Sequence, residues 1–512
     1  MPALFDAGPP DPCPAPFNLA AHVLRHARDL PDKTALALVD AAGEAETWTF
    51  GAMEAAVLGT AAGLLARGLA PGDRVLLRLG NRVEVPILYL AAMAVDLVPV
   101  PTSSQLTAPE VAVLTQLLSP ALAVVESGVA GPPDGVPVLD LDAARALAAT
   151  PAAAYRMGDP ERLGYIVFSS GTGGTPRAVC HAHRAIWARR MMTEGWYGLR
   201  RDDRVLHAGA FNWTYTMGTG LMDPWAVGAT ALIPAPGLPP AQIPDILLAE
   251  GATIFAAAPG VYRQMLKRAD WPALPALRHG LSAGEKLPDS TAAAWRARTR
   301  TAIHEAYGMS ECSTFISGSP AAPAAPGTLG RPQPGRRIAV LDGDRPAQID
   351  APGEIAVSRR DPGLMLGYLD DPDATATRFR GEWFLTGDSA AMAEDGSLTY
   401  LGRRDDMMNA GGYRVSPVEV EEALTAHPDV TEAAAVALQV RADAAIVAAF
   451  YTGARTLDPD ELARHCAARL ARYKCPRRFT HVPALPRGAN GKVLRRALRD
   501  AHGWKDPGDD PS

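Results

Sequence analysis

A chain of 512 residues is too long for one ordinary hydrophobic core, so two or more domains are expected, one of them large. Its 47% hydrophobic and 21% charged residues are those of a soluble globular protein, and a formal net charge of -6 offers nucleic acid no electrostatic attraction. Five scattered cysteines (Cys13, Cys180, Cys312, Cys466, Cys475), with no Cys-x-x-Cys pair and no histidine cluster at metal-ligand spacing, argue against a disulfide framework or a zinc site. They fit reduced thiols in a cytoplasm. The opening MPALFDAGPPDPCPAP lacks a basic segment followed by an apolar run, and the longest apolar stretch, Ile87 to Val95, ends at Asp96. Neither a signal peptide nor a membrane span is expected.

In chain order, residues 1 to about 160 alternate helical patterns (Asn18 to Arg28, Ala52 to Arg67) with short apolar runs, RVLLRL (74 to 79) and ALAVVE (121 to 126). The alternation predicts helices packed on a parallel sheet. It resumes with YIVF (165 to 168), a helical stretch from about 183, then RVLHAG (204 to 209), ATALIP (229 to 234) and ATIFAAAP (252 to 259). From about 335 short strands and turns take over (RRIAVLDG, GEIAVSR, GEWFLTGD, GSLTYLGR), a β-rich section closing the large domain.

After Gly402 a smaller unit follows. Ser416, Pro417 and Glu419 mark a helix start with a capping box, and Pro428 stops that helix. A hairpin over about 432 to 451, a helix from Asp458-Pro459, a strand at FTHV and a basic last helix complete it. The fold class expected is α/β: a large N-terminal domain (1–404) with mostly parallel, helix-packed sheets and a β-rich subdomain, then a small α+β domain (405–512), to which the motifs below add mobility.

Between YIVF and the helical stretch lies FSSGTGGTPRAVCHAH (168 to 183). Such a turn can offer backbone N–H groups to an anion, with Ser169, Ser170, Thr172 and Thr175 adding hydroxyls and Arg177 a charge. It is not a Walker loop, because the second glycine and the lysine are out of place, and Pro176 stands where a dinucleotide fingerprint needs its third glycine. Composition alone leaves a phosphate cradle and a plain surface loop both open.

The stretch SSGTGGTPRAV does, however, resemble the phosphate loop of the acyl-adenylate-forming superfamily, with Gly173, Arg177 and Ala178 where that family has Thr, Lys and Gly. An arginine still offers bidentate phosphate contact. Further motifs follow in the family's order over roughly residues 20 to 500. EAYGMSECS (305 to 313) resembles the motif whose aromatic flanks adenine, whose hydroxyl meets the α-phosphate and whose Glu binds Mg²⁺, which implies Tyr307, Ser310 and Glu311, with Glu305 and Ala306 beside them. SAGEKL (282 to 287) looks like the other adenine wall, implying Gly284, Glu285 and Lys286. WFLTGDSA (383 to 390) is similar to the segment whose Asp holds the ribose, here Asp388; by itself Gly-Asp is simply a turn.

GRRDDMMNAGGYRVSPVEVEE (402 to 422) is the most specific match. It implies Arg403 at the nucleotide, Asp405 as an interdomain hinge, and Gly411 and Gly412 lining a thiol tunnel, where close backbone approach suits residues without a Cβ. PRGANGKVLRR (486 to 496) resembles the terminal motif carrying the catalytic lysine, here Lys492. The loop residues Ser169, Ser170, Gly171, Thr172, Gly173, Gly174 and Thr175 would hold phosphates with Arg177.

The resemblance implies an AMP-forming acid–thiol ligase: ATP activates a carboxylic acid as its adenylate with loss of pyrophosphate, and coenzyme A then takes the acyl group. A carrier-protein phosphopantetheine is the other acceptor; Arg472, Lys474, Arg477 and Arg478 either meet the phosphates of coenzyme A or form a solvated face. The acid pocket would be walled by Trp213, Tyr215, Met217, Gly218, Ala283, Gly308 and Met309, with Gly308, in place of a pocket-shortening Trp, leaving depth. A benzoate-like aromatic acid is expected, with a medium-chain aliphatic acid as the alternative. A carrier-loading adenylation enzyme and a nucleotide-binding protein without catalysis are the remaining readings, and a homodimer is left open.

Overall fold

The computed structural model describes the chain except residues 41, 43–44, 170–175, 405–407, 411–412, 442–443, 471–473, 489–491 and 504–512. It divides into two compact units, one of residues 5–337 and 357–384, the other of residues 1–4, 338–356 and 385–512.

The first unit is built on a nine-stranded sheet. From one edge its strands run Arg331–Pro332, Ser313–Ser317, Ile303–Met309, His279–Ala283, Ile254–Ala257, Arg204–His207, Thr230–Pro234, Thr34–Val39 and Ala45–Thr49. The six strands from Ile303–Met309 to Thr34–Val39 pair in parallel. All residues of Thr230–Pro234 and Ile254–Ala257 are buried, the continuous apolar pattern of parallel strands covered on both faces. Behind them Phe255 stacks on Trp295 at 5.8 Å, and the Tyr262 hydroxyl reaches the carbonyls of both Phe255 and Leu281 at 3.0 Å.

A second, parallel sheet orders Val98–Pro101, Arg74–Arg78, Leu122–Val125 and Val138–Asp140. Helix Ala108–Leu118 starts where the sequence supplies a cap, Thr107 and Glu110 forming a capping box. Helix Glu84–Ala94 is buried all round, as its uniform apolarity requires.

Leu163–Ser169 is a strand, and after the glycine-rich stretch the chain returns as a second strand, Arg177–Ala182, antiparallel to it, with Ser169 opposite Arg177. The helical stretch expected from about 183 is the helix Ala185–Ala188. The sequence assigns no element to the strand before it; its short apolar run Ala178-Val179-Cys180 pairs across strands with Phe168, Val167 and Ile166. Thus Arg177 begins a strand, and no helix N-terminus backs it. Gly367–Tyr368 adds to this hairpin, with Tyr368 opposite Val179.

In the other unit, Asp388 to Met392 pair with Leu398–Arg403, and the hairpin Glu432–Arg441/Ala444–Thr452 takes Arg478–His481 alongside in parallel. Helix Pro417–Thr425 is capped by Ser416, whose Oγ accepts from the Glu419 N–H at 3.4 Å, while the Glu419 carboxylate meets Lys474 at 2.8 Å. The helices Pro459–Ala467 and Arg495–His502 stand where the sequence predicts them.

Candidate active site

Strands Arg204–His207, Ile254–Ala257, His279–Ala283 and Ile303–Met309 are parallel and in register, so their carboxyl ends share one edge of the sheet. The chain leaves these ends as the segments 208–217, 284–287 and 310–313. Three motifs far apart in sequence are therefore brought together at the place where open α/β sheets bind ligands.

Ser310 and Glu311 follow the strand directly. Glu311 is 8% exposed, and its Oε1 accepts a hydrogen bond from the Tyr368 hydroxyl at 2.8 Å. The Arg177 guanidinium lies over the same tyrosine ring, 5.0 Å from its centroid. Burial, with Glu311 close by, pushes the Tyr368 hydroxyl up to about 12, so it stays a donor. The Ser310 carbonyl accepts from His181 Nε2 at 2.7 Å, and His181 stacks on Tyr165 at 4.9 Å. Burial holds His181 down at about 4, hence neutral.

Among the residues expected around adenine, Tyr307 packs edge-on against Phe315 at 5.3 Å, Ala306 sits opposite Ala283, and a Glu305 carboxylate oxygen accepts from the Leu287 N–H at 3.0 Å. That bond ties the segment of Glu285 and Lys286 to the neighbouring strand. Gly284 has φ +95°, and a Cβ there would come within 2.6 Å of the Trp213 ring, so the turn requires glycine.

Of the residues expected to wall the acid pocket, Tyr215 is core rather than open wall: it is 6% exposed, it stacks on Trp196 at 5.8 Å, and its hydroxyl reaches the Leu281 carbonyl at 3.1 Å. Trp213 is half-buried and stands edge-on to it at 5.2 Å. Met217 lines a cavity, while a Cβ on Gly218 would collide with the Arg189 guanidinium. Met309 pairs with Ser313. Gly308 needs a correction of reason. A Cβ there would run into the Ser313 carbonyl and lie 2.5 Å from Thr314 Cα, beside a register shift between Tyr307 and Gly308. Close strand approach fills that space, so Gly308 adds no depth to a pocket.

Sequence reasoning missed three participants. Tyr368 sits in no motif singled out there, and only the pairing with Val179 brings it to Glu311. His181 reads as one of several histidines. Arg189 forms a buried ion pair with Asp223, Nη2 to Oδ2 at 2.5 Å, and also bonds Tyr197, Thr219 and Ser313. Although burial opposes its charge, Asp223 raises its pKa above the usual arginine value. A second arginine in an apolar stretch was the available signal, since a buried cation must be paired.

In the other unit, Arg403 is opposite Asp388 across the strand pair, Nε to Oδ1 at 3.4 Å, and the Tyr400 hydroxyl reaches the same Oδ1 at 3.2 Å. Lys492 is exposed, and its carbonyl accepts from the Gly488 N–H at 2.9 Å. Ser170, Gly171, Thr172, Gly173, Gly174, Thr175, Asp405, Gly411, Gly412 and Arg472 lie outside the described residues. Among the described residues no three His, Cys, Asp or Glu side chains gather to hold a metal, no helix is long and apolar enough to cross a membrane, and none of the five cysteines forms a disulfide.

A family model described as AMP-binding enzyme matches residues 23–369, and one described as AMP-binding enzyme C-terminal domain matches 419–492. The benzoate–CoA ligase of Thauera aromatica is 33% identical over 469 residues, 85% of this chain and 87% of that protein. The 3-hydroxybenzoate–CoA ligase of an Aromatoleum species is 29% identical over 490 residues, 90% and 92% of the two chains. Among solved structures, an anthranilate CoA ligase in complex with anthranoyl-AMP superposes with a TM-score of 0.87 at 25% identity, covering 96% of this chain and 98% of that one. A benzoate CoA ligase from Burkholderia xenovorans LB400 gives 0.84 at 28%, covering 94% and 100%.

Proposed function

This chain belongs to the AMP-binding enzyme family, and on that premise we propose that it joins a benzoate-like carboxylic acid to coenzyme A at the expense of ATP. It is an AMP-forming acid–CoA ligase. One observation carries the assignment to this site: Arg177, Ser310 and Glu311 converge with Tyr368 at the carboxyl edge of the sheet.

A carboxylate cannot expel oxide, so the acid must first be given a better leaving group. Attack on the α-phosphorus of ATP releases pyrophosphate and leaves the acyl-adenylate, which a thiol then opens to a thioester and AMP. The demand on the protein is electrostatic, since charge spread over the phosphoryl oxygens must meet donors and cations already in place. Arg177 supplies a fixed guanidinium at the start of its strand, with the Ser169 hydroxyl opposite. The backbone of Ser310 is fixed by the bond from His181, which sets where its hydroxyl can reach. Glu311, held by Tyr368, is a buried carboxylate that belongs to no group of three metal-ligating side chains among the described residues, which fits a magnesium ion bound mainly by phosphate oxygens and water. Such an ion would neutralise phosphate charge.

Adenine lies, in this reading, between Tyr307 and the 283–287 segment, and Asp388 with Arg403 receives the ribose. Asp405 is the hinge about which residues 405–512 exchange Lys492, needed for adenylation, for Gly411 and Gly412, needed for the thiol step. Five free thiols support a reducing, cytoplasmic setting.

The test is pyrophosphate release with ATP, Mg²⁺ and a panel of aromatic, aliphatic and amino acids, with and without coenzyme A, for the wild type and Lys492→Ala. Release with aromatic acids, raised by coenzyme A and lost in the variant, is expected. Release confined to aliphatic acids, or discharge only to a carrier protein, would overturn the reading.

A further inference from the structure

Beside the Ser310 turn lies a cavity of about 20 Å³, roughly the room a single water needs. Tyr165, His181, Arg189, Thr214, Ser310 and Ser313 are among its walls. It adjoins both the acid-side segment, through Thr214 and Met217, and the segment carrying Glu311, through Ser310 and Ser313. Asn212, Thr214, Ser310 and Ser313 are only half-buried, so these walls are the ones closest to open space.

The hydrogen-bonding of His181 defines what can enter. The Ser310 carbonyl only accepts, so the Nε2 facing it carries the proton. The ring is 2% exposed and neutral, so its Nδ1 bears a lone pair, and this buried Nδ1 has no partner in the protein. A buried acceptor without a donor bears the desolvation penalty of its lone pair with nothing to offset it. Arg189 cannot serve a negative group freely, because its charge is already matched by Asp223. What His181 Nδ1 lacks is a hydrogen-bond donor.

We propose that this cavity is a subsite for one water-sized, hydrogen-donating substituent, a hydroxyl or an amino group, on the ring of the aromatic acid, with His181 Nδ1 as its acceptor. The inference rests on the aromatic-acid reading above. A methyl group of similar size would fill the space and leave the acceptor unmatched, and a second carboxylate would bring charge without a proton to give. Discrimination then comes from the polar group stranded by the wrong ligand, the situation in which binding sites select most strongly.

The experiment measures kcat/KM for thioester formation with benzoate and the three positional isomers each of hydroxy-, amino- and methylbenzoate, using the full chain, ATP, Mg²⁺ and coenzyme A. At one ring position the hydroxy or amino acid should exceed its methyl counterpart by about 10-fold or more. In His181→Leu the acceptor is gone together with the bond to the Ser310 carbonyl, so overall activity should drop and, whatever its level, the hydroxy-to-methyl ratio should fall toward one. That ratio is internal to each variant and does not depend on its overall activity. If aromatic acids are turned over but hydroxy, amino and methyl isomers are equal at every position, the cavity holds a structural water and the subsite is overturned while the ligase reading stands. If no aromatic acid is turned over, both fall.

Discussion

Replacing Tyr368 by phenylalanine removes one oxygen from the site and leaves the ring that Arg177 covers. The lost bond is 2.8 Å long, and its acceptor, Glu311, is 8% exposed, so water can replace the hydroxyl only in part. Hydrogen bonds to charged groups contribute about 1.5–3 kcal/mol. Converted at about 1.36 kcal/mol per decade, the variant should lose on the order of 10- to 150-fold in kcat/KM for adenylation. The assay is pyrophosphate release under initial-rate conditions with the acid and Mg²⁺ varied in turn. Because Tyr368 orients the carboxylate and does not touch the acid in this arrangement, the loss should show as a higher Mg²⁺ concentration at half-maximal rate, with the acid KM little moved. A change below about twofold at every Mg²⁺ concentration would mean that Tyr368 only packs, and would refute the role given to the Arg177–Tyr368–Glu311 arrangement.

Arg189→Met leaves Asp223 buried without its cation and should cost about 3–5 kcal/mol, read from urea unfolding, whereas Arg189→Met with Asp223→Leu should recover most of that loss. Gly284→Ala places a Cβ against Trp213 at a backbone angle that L residues rarely adopt; a loss of about 1–3 kcal/mol, read as a lower Tm, and a raised acid KM are expected. His181 and His207 are buried and held at about 4 and about 3, below the ordinary 6.5. Their neutrality favours the fold fully above pH 6.5, and that contribution is lost as the pH falls toward those values, because only the unfolded chain then binds the protons. Each should cost on the order of 2 kcal/mol between pH 7 and 5 in urea melts, and His181→Gln should flatten part of that slope.

Much of the architecture is legible in the sequence because parallel strands announce themselves as unbroken apolar runs: RVLH, ATALIP and ATIFAA are strands in the structure. The helix at Pro417 is equally plain from its Ser-Pro start. The hairpin around the glycine-rich loop is not, since AVC is too short to separate a strand from the first turn of a helix, and the pairing partner that decides it is upstream. The same limit applies to the site. Motif residues next to one another in sequence, such as Ser310 and Glu311, can be found by pattern. Tyr368, 57 residues from the carboxylate it serves, cannot, because tertiary pairing alone brings it there. Gly308 shows the converse: its identity is legible, but its reason, the approach of Ser313 and Thr314, is a property of the fold.

The division of the chain has a consequence for anyone who would recombine it. The unit that carries Lys492 also owns residues 338–356, which precede the strand bearing Asp388. Within that unit the Glu354 carboxylate accepts from the Gly387 N–H at 3.0 Å and pairs with Arg404, and the Thr386 hydroxyl reaches the Ile355 carbonyl at 2.8 Å. A chimera spliced once at 384/385 would therefore join a foreign partner to Gly387 and Arg404 and strand Glu354, a buried carboxylate, on the donor side. Exchange of this unit is a three-segment operation, since residues 1–4 belong to it as well, and acceptor or acid preference transplanted by a single crossover will carry a stability penalty unrelated to specificity.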